Sequence, residues 1–240
     1  MVHLKGISKI YEGKYVLKNI DVEVHRGELL VILGESGSGK STLLKCINHL
    51  VHPDEGLVEA EEELFTTSPA YEWRRKFGYV FQNIGLFPHM TVLENLYIVP
   101  DMNSGDSTDK YDKAAELLKL VGLPAAQFGN RFPSELSGGQ QQRVGVARAL
   151  ATSSPVMLMD EPFSALDPIT RYQLQRDLLS WKSHYHLTIV FVTHDIREAR
   201  FLADRIVIME KGQIAQLGVW DELRQNPANE YIESLLNQEY

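Results

Sequence analysis

The chain has 240 residues, 44% of them hydrophobic, which suits one elaborated α/β domain with a proper core. Its formal net charge of −8 excludes the counterion-release attraction that nucleic-acid binders draw from clustered Lys and Arg. The same charge argues against direct adhesion to anionic lipid, so any membrane association is expected to run through a protein. No run approaches the roughly 18 apolar residues needed to span a bilayer, and the N-terminus lacks the features of a cleaved leader, so a cytoplasmic location is expected. Cys46 is the single cysteine; this rules out an intramolecular disulfide, and its apolar neighbours imply a buried helix position.

In chain order, residues 2–7 and 16–24 read as antiparallel edge strands, and 29–33 as the first strand of a core sheet. Directly after it stands Gly34-Glu35-Ser36-Gly37-Ser38-Gly39-Lys40-Ser41-Thr42, in which Gly34, Gly39, Lys40 and Ser41 satisfy the spacing of a phosphate loop between strand and helix. Glycines and small serines let backbone N–H groups converge on a polyphosphate, and a helix opening at Lys40 points its partial positive end at the same anion. Lys40 is expected to bridge the β- and γ-phosphates of ATP, and the Ser41 hydroxyl to ligate Mg²⁺. The alternative, a flexible Gly/Ser turn, is disfavoured by the strand before and Thr42-Leu43-Leu44 after.

Residues 59–73 are acidic and irregular. From 88 to 133 the pattern becomes helical, broken by a polar patch at 101–110. Within it, 112–121 places Ala114, Leu117, Leu118 and Val121 at helical spacing, with Gly122 where a helix end favours a left-handed residue. Residues of about 88–150 are therefore expected to form an inserted helical subdomain. Leu136-Ser137-Gly138-Gly139-Gln140 then precedes a helix expected to begin at Gln141-Gln142-Arg143, a second glycine-rich approach to a helix N-terminus and so a second anion site.

The strand at 156–159 ends in Asp160-Glu161, two carboxylates at the C-terminal edge of a parallel sheet, where ligands of such sheets bind. Asp160 is expected to hold Mg²⁺ through its water shell and Glu161 to polarise the attacking water. The alternative is a pair of solvated charges. A further strand at 189–192 delivers Thr193-His194-Asp195 to the same kind of edge, making His194 a candidate contact to the γ-phosphate; the other seven histidines read as surface or packing residues. A strand at 206–209 follows, then a hairpin turn at Glu210-Lys211-Gly212-Gln213, then an amphipathic segment at 227–236.

The segment Leu136-Ser137-Gly138-Gly139-Gln140, with the phosphate loop and Asp160-Glu161, resembles the signature set of ABC ATPases, and the likeness runs from Leu4 to about Leu236. The resemblance implies a P-loop NTPase fold of the ABC type: a RecA-like α/β core with a parallel sheet, an antiparallel β subdomain and an inserted helical subdomain, as one domain over 1–240. It implies a head-to-tail homodimer, each ATP held between the phosphate loop of one subunit and Ser137, Gly138, Gly139 and Gln140 of the other. Tyr11 stands where that family stacks an aromatic on adenine, a packed strand tyrosine being the alternative. Gln82 matches the glutamine that reaches Mg²⁺, and Ser164-Ala165-Leu166-Asp167 the loop that senses the opposite site. Permease subunits are expected to dock beside Phe81-Gln82 and residues 85–90, placing the chain on the cytoplasmic face of the inner membrane.

Residues 84–91, 166–171 and 189–195 look most like bacterial importers of quaternary amines, namely glycine betaine, choline or carnitine, which also work with a substrate-binding protein. Members of that group often carry a C-terminal regulatory region of paired CBS modules, and none is expected in this chain. An importer of polar amino acids or another small solute would use the same motifs. Non-transport relatives in DNA repair or translation favour paired cassettes, inserted arms or basic surfaces, and a regulatory subunit without turnover would replace Glu161 or His194.

Overall fold

A computed structural model describes residues 1–60, 63–64, 69–82, 84–99 and 107–237. The chain divides into two compact units, Met1–Arg74 with His186–Tyr240, and Arg75–Tyr185.

In the first unit, the alternation of buried Val2, Leu4 and Ile7 with more exposed neighbours makes β1 (Val2–Tyr11) a sheet strand with one face on the core. It pairs antiparallel with β2 (Lys14–Val24) on one side and with β4 (Glu55–Ala60) on the other, and β5 (Glu63–Leu64) closes that sheet. Thus β2 is an edge as expected, whereas β1 is interior. Its second neighbour comes from an acidic stretch in which only Val58 and Ala60 are fully inward while Glu59 pairs with Lys5 at 3.0 Å.

In the second sheet of this unit the inner strands are buried along their length, as in a layer covered on both faces. β3 (Leu29–Leu33) is entirely buried and lies parallel to both β8 (Thr188–Thr193) and β9 (Arg205–Glu210). β10 (Gln213–Gly218) returns antiparallel to β9 through the expected hairpin. Its two turn residues, Lys211 (φ 47°) and Gly212 (φ 78°), are both left-handed, as a tight two-residue turn demands. Helices α1 (Lys40–Ile47), α2 (Ala70–Arg74), α8 (Ile196–Leu202), α9 (Trp220–Gln225) and α10 (Glu230–Leu236) complete it. Cys46 is buried in α1 as expected, and burial pushes its thiol up to about 12, which leaves it inert.

In the second unit, β6 (Gly78–Val80) and β7 (Val156–Asp160) pair in parallel. They accompany α3 (Val92–Tyr97), α4 (Ser107–Leu120), α5 (Ala125–Phe128), α6 (Gly138–Leu150) and α7 (Pro168–Tyr185). Two boundaries differ from expectation. Residues 101–106 of the polar patch lie outside the described residues, but its last four residues are already the start of α4; Ser and Asp suit a first turn, so polarity there marks a helix beginning. Gly122 does follow α4 with a left-handed φ of 74°. And α6 begins at Gly138, three residues before the expected start, because Ser137 caps it. The α/β architecture, with parallel core strands and a separate antiparallel sheet, is otherwise the one the sequence implies.

The connection from α1 to β4 carries a buried histidine, His49, with a left-handed φ of 60° and its ring 3.9 Å from that of His52. Burial first, then the charges of His52 and Arg74, bring His49 down to about 4. The folded chain therefore refuses a proton that the unfolded chain accepts below about pH 6.5, so stability declines as pH falls through that window toward 4. Denaturant midpoints measured at pH 7 and pH 4.5 are expected to drop further for the wild type than for His49→Asn, since Asn tolerates the left-handed backbone and does not titrate. Equal drops would remove His49 as a source of the acid sensitivity.

Candidate active site

The phosphate loop lies in the first unit, as the turn from β3 into α1. Close approach decides its glycines: a Cβ on Gly34 would stand 2.4 Å from the Met209 carbonyl oxygen, and one on Gly39 would stand 2.7 Å from that of Val16. The loop is thus pressed against the strands behind it, and only hydrogen fits. Lys40 is buried, and its ammonium donates to the carbonyls of Gly34 (2.8 Å) and Glu35 (2.7 Å). A buried cation must be compensated, and here the loop's own backbone does so, curling around the charge. Ser38 N–H donates to Glu35 O (3.2 Å) to close the turn, while the Ser38 hydroxyl is buried with no hydrogen-bond partner. Gly39, at the N-cap of α1, supplies no side-chain cap, so the first amides of the helix are left for an external acceptor. An orphaned buried hydroxyl, uncapped amides and a buried cation together fit a polyphosphate anion. Glu35, Ser36 and Gly37 are exposed, and Ser41 and Thr42 half-buried.

Two other first-unit candidates are surface groups. Tyr11 is 46% exposed, so it is not a packed strand tyrosine, and the Lys9 ammonium stands 5.2 Å from its ring centroid. His194 follows the last residue of β8 and is exposed. The next residue, Asp195, caps α8 by accepting from Arg197 N–H at 2.8 Å.

The second unit holds the remaining residues. Asp160, the buried last residue of β7, is followed by Glu161 with a φ of 43°. A left-handed non-glycine residue is strained by about 1–3 kcal/mol, and it is held by Ser164, whose N–H (3.3 Å) and hydroxyl (3.0 Å) both donate to the Glu161 carbonyl. The chain thereby turns sharply between the two carboxylates. Tyr79 sits on the neighbouring strand β6 with its hydroxyl buried and unpartnered; burial and then the charge of Asp160 push its ionisation above the ordinary range. An orphaned hydroxyl near a buried carboxylate fits a hydrated cation. Among the described residues, no three His, Cys, Asp or Glu side chains group as a metal site by themselves.

The signature segment forms the first turn of α6. Ser137 Oγ accepts from Gln140 N–H (3.3 Å) and Gln140 Oε1 from Ser137 N–H (2.9 Å), a reciprocal cap. Gly138 and Gly139 stand inside that turn with no side chains to cover it. A Cβ on Gly139 would come within 2.5 Å of the Thr170 methyl, which sets α6 against α7. Asp167 caps α7, accepting from Ile169 N–H (3.1 Å) and Thr170 N–H (3.0 Å). Its bonds to Thr170 are the main cause that holds its carboxyl below the usual range.

Gln82 is exposed beyond β6. A groove of about 480 Å³ is lined by Gln82, Ile84, Leu86, Pro88, Gln141 and Leu166 among others, and Phe81 and Phe87 of the same segment are exposed. Arg148, which sequence reasoning missed, forks from α6 onto the carbonyls of Ile84 (3.0 Å) and Gly85 (2.7 Å). It ties the signature helix to the segment after Gln82. Arg143 likewise joins α6 to Val121 O (3.0 Å) and to Asp177 of α7 (2.8 Å). Their only sequence signal is their place on a helix that carries a motif.

Comparison with known proteins identifies the family. The family model described as ABC transporter matches residues 17–164. The chain is 47% identical over 240 residues to the glycine betaine/carnitine/choline transport ATP-binding protein OpuCA of Bacillus subtilis (strain 168), covering all of this chain and 63% of that protein. It is 43% identical over 244 residues to the osmoprotectant import ATP-binding protein OsmV of Salmonella typhimurium, covering all of this chain and 64% of the relative. The chain thus spans less than two thirds of the length of these relatives. Among solved structures, the ATP-binding cassette MJ0796, described as a dimeric post-hydrolysis state bound to ADP and Pi, is 38% identical. It matches with a TM-score of 0.81 over 91% of this chain and 98% of that one. This chain belongs to the ABC transporter family.

The capping geometry makes a prediction about α6. Ser137→Ala removes the N-cap acceptor and is expected to lower unfolding free energy by about 1 kcal/mol, whereas Ser137→Asp, which can accept the same bond, restores most of it. Equal stability of all three proteins in denaturant would contradict the cap.

Proposed function

We propose that this chain is the ATP-binding and ATP-hydrolysing subunit of an importer for quaternary-amine osmoprotectants, acting as a homodimer docked on membrane permease subunits. The observation that carries the reading is a likeness, over all of this chain, to transport ATP-binding proteins named for glycine betaine, carnitine and choline or for osmoprotectant import, joined to a phosphate loop whose buried lysine rests on carbonyls of its own loop. No described helix is long and apolar enough to cross a membrane, so in this reading the solute passes through other chains, together with a substrate-binding protein.

Each residue then has a chemical task. The amides of Gly37, Ser38, Gly39, Lys40, Ser41 and Thr42 cradle the phosphates, with Ser36 and Glu35 shaping the entry. Lys40 exchanges its two carbonyl partners for the β- and γ-phosphate oxygens, a charge-assisted contact that is the stronger of the two. Tyr11 offers its exposed ring to adenine. Mg²⁺, held by Ser41, Gln82 and Asp160, would neutralise phosphate charge. Glu161 accepts the proton of the attacking water, and His194 donates to the γ-phosphate and so reports whether it is present. Ser137, Gly138, Gly139 and Gln140 offer the amino end of α6 to the nucleotide of the second subunit, so that two ATPs bind the dimer and hydrolysis releases it. The groove beside Gln82, with exposed Phe81 and Phe87, is the surface offered to the permease, and Arg148 carries its movement to α6.

Lys40→Ala is expected to weaken ATP binding by 100-fold or more, since a buried charge-assisted contact is lost. Glu161→Gln is expected to keep near-normal affinity while turnover falls by 100-fold or more. Unchanged affinity in the first, or wild-type turnover in the second, would contradict the assigned roles. For the solute, uptake of labelled betaine, choline and carnitine is compared in cells with and without the gene. Loss of uptake together with a co-purifying permease agrees with the proposal, and normal uptake of all three removes the solute class.

A further inference from the structure

The strand that carries Tyr11 runs on past one of its neighbours. β1 pairs with β4 as far as Ser8, which lies opposite Glu55. Ile10 and Tyr11 lie beyond that pairing, with Tyr15 and Lys14 of β2 opposite them on the other side. On the β4 side a side chain takes over the part of a strand. Asp54, the residue before β4, donates its N–H to Ser8 O at 2.8 Å, and its Oδ2 accepts from Ile10 N–H at 2.6 Å. The amide next to Tyr11 thus finds a carboxylate, a stronger acceptor than the carbonyl of a sheet ladder.

The same carboxylate holds Lys9, whose ammonium donates to Asp54 Oδ1 at 3.1 Å. The Ile10 amide first, then Lys9, keep the Asp54 carboxyl below its ordinary range, so it is ionised at neutral pH. Only 14% of the Lys9 side chain is exposed, which fixes where its charge can stand. Lys9 and Tyr11 are two residues apart on a strand and share a face. The Lys9 ammonium lies over the Tyr11 ring, 5.2 Å from its centroid, within the reach of a cation–π contact. A carboxylate, an ammonium and an exposed aromatic ring therefore stand in series at the end of β1.

We propose that Asp54 and Lys9 are positioning residues for the nucleotide base: Asp54 fixes the end of β1 and anchors the Lys9 ammonium, which in turn holds the Tyr11 ring ready to take adenine. The proposal rests on the adenine-stacking reading of Tyr11 given above. Its physical basis is preorganisation. A tyrosine this exposed, at the end of a strand, has rotamers to lose, and losing them at the moment of binding would subtract from affinity. A cation already seated on the ring confines those rotamers beforehand, and Asp54 keeps both the cation and the backbone beneath the ring in register. The influence of the pair is therefore on the base and not on the phosphates.

The test is calorimetric titration of the full chain, with Mg²⁺, against ADP and against inorganic pyrophosphate, which offers phosphates without a base. Lys9→Met keeps the length of the stem and removes the charge; Asp54→Asn keeps an acceptor for Ile10 and removes the charge that anchors Lys9. For each, the expected result is a roughly two- to fivefold higher Kd for ADP, the range of an exposed cation–π contact, with the Kd for pyrophosphate unchanged. Tyr11→Ala should also weaken ADP binding, and adding Lys9→Met to it should weaken binding no further, since the two act through one ring. Wild-type affinity for ADP in both Lys9→Met and Asp54→Asn would overturn the proposal. So would an equal loss for ADP and pyrophosphate, which would place the effect on the phosphates or on the fold, or a fully additive loss in the Tyr11→Ala background. If Tyr11→Ala alone binds ADP as the wild type does, the adenine reading of Tyr11 fails and the proposal falls with it.

Discussion

The buried ammonium of Lys40 is the constraint around which the first unit is arranged. A cation at this depth needs fixed dipoles, and the carbonyls of Gly34 and Glu35 supply them only because the loop bends tightly enough to bring both inward. That bend in turn requires hydrogen at Gly34 and Gly39, where the backbones of Met209 and Val16 leave no room for a side chain. The turn that follows strand β9 is also hydrogen-bonded to Ser38. The lysine is satisfied without ligand, yet its partners are exchangeable, because neutral carbonyls are weaker partners for an ammonium than phosphate oxygens are.

The second unit sets its charges and helix ends by backbone geometry and capping. Glu161 is set apart from Asp160 by a strained backbone rather than by distance along a strand, and Ser164 holds the strain. The start of α6 is stabilised by its own reciprocal cap, so its two glycines can stay bare. Arg148 and Arg143 then connect that helix to the Gln82 segment, to α4 and to α7 through backbone carbonyls and one carboxylate. Arg148 thus gives the segment after Gln82 a direct polar connection to α6.

Much of this was legible from short-range chemistry. The phosphate loop declares itself because its spacing must match a fixed phosphate geometry, and the core strands do so because burial on both faces demands unbroken apolar runs at 29–33 and 189–192. Where neighbours in space decided, the sequence was less informative. β1 becomes an interior strand only because Glu55–Ala60, charged and unpromising in isolation, pairs with it through Val58, Ala60 and the Lys5–Glu59 contact. The helix at Gly138 begins earlier than glycine content suggests, since the Ser137 and Gln140 cap outweighs the low helix propensity of two glycines. Contacts such as Arg148 to Ile84, or Gly212 to Ser38, link positions with no local pattern to reveal them.

The central claim is that ATP bound at the Lys40 loop of one subunit is completed by the Ser137 segment of another, so that nucleotide drives association. The most direct measurement is the solution mass of Glu161→Gln by light scattering, taken without nucleotide, with Mg²⁺ and ATP, and with Mg²⁺ and ADP. The account predicts one chain without nucleotide and with ADP, and two with ATP, the doubling being abolished when Ser137 is also replaced by a bulky residue. A single-chain mass at saturating ATP, or a doubling indifferent to both nucleotide and Ser137, would contradict it.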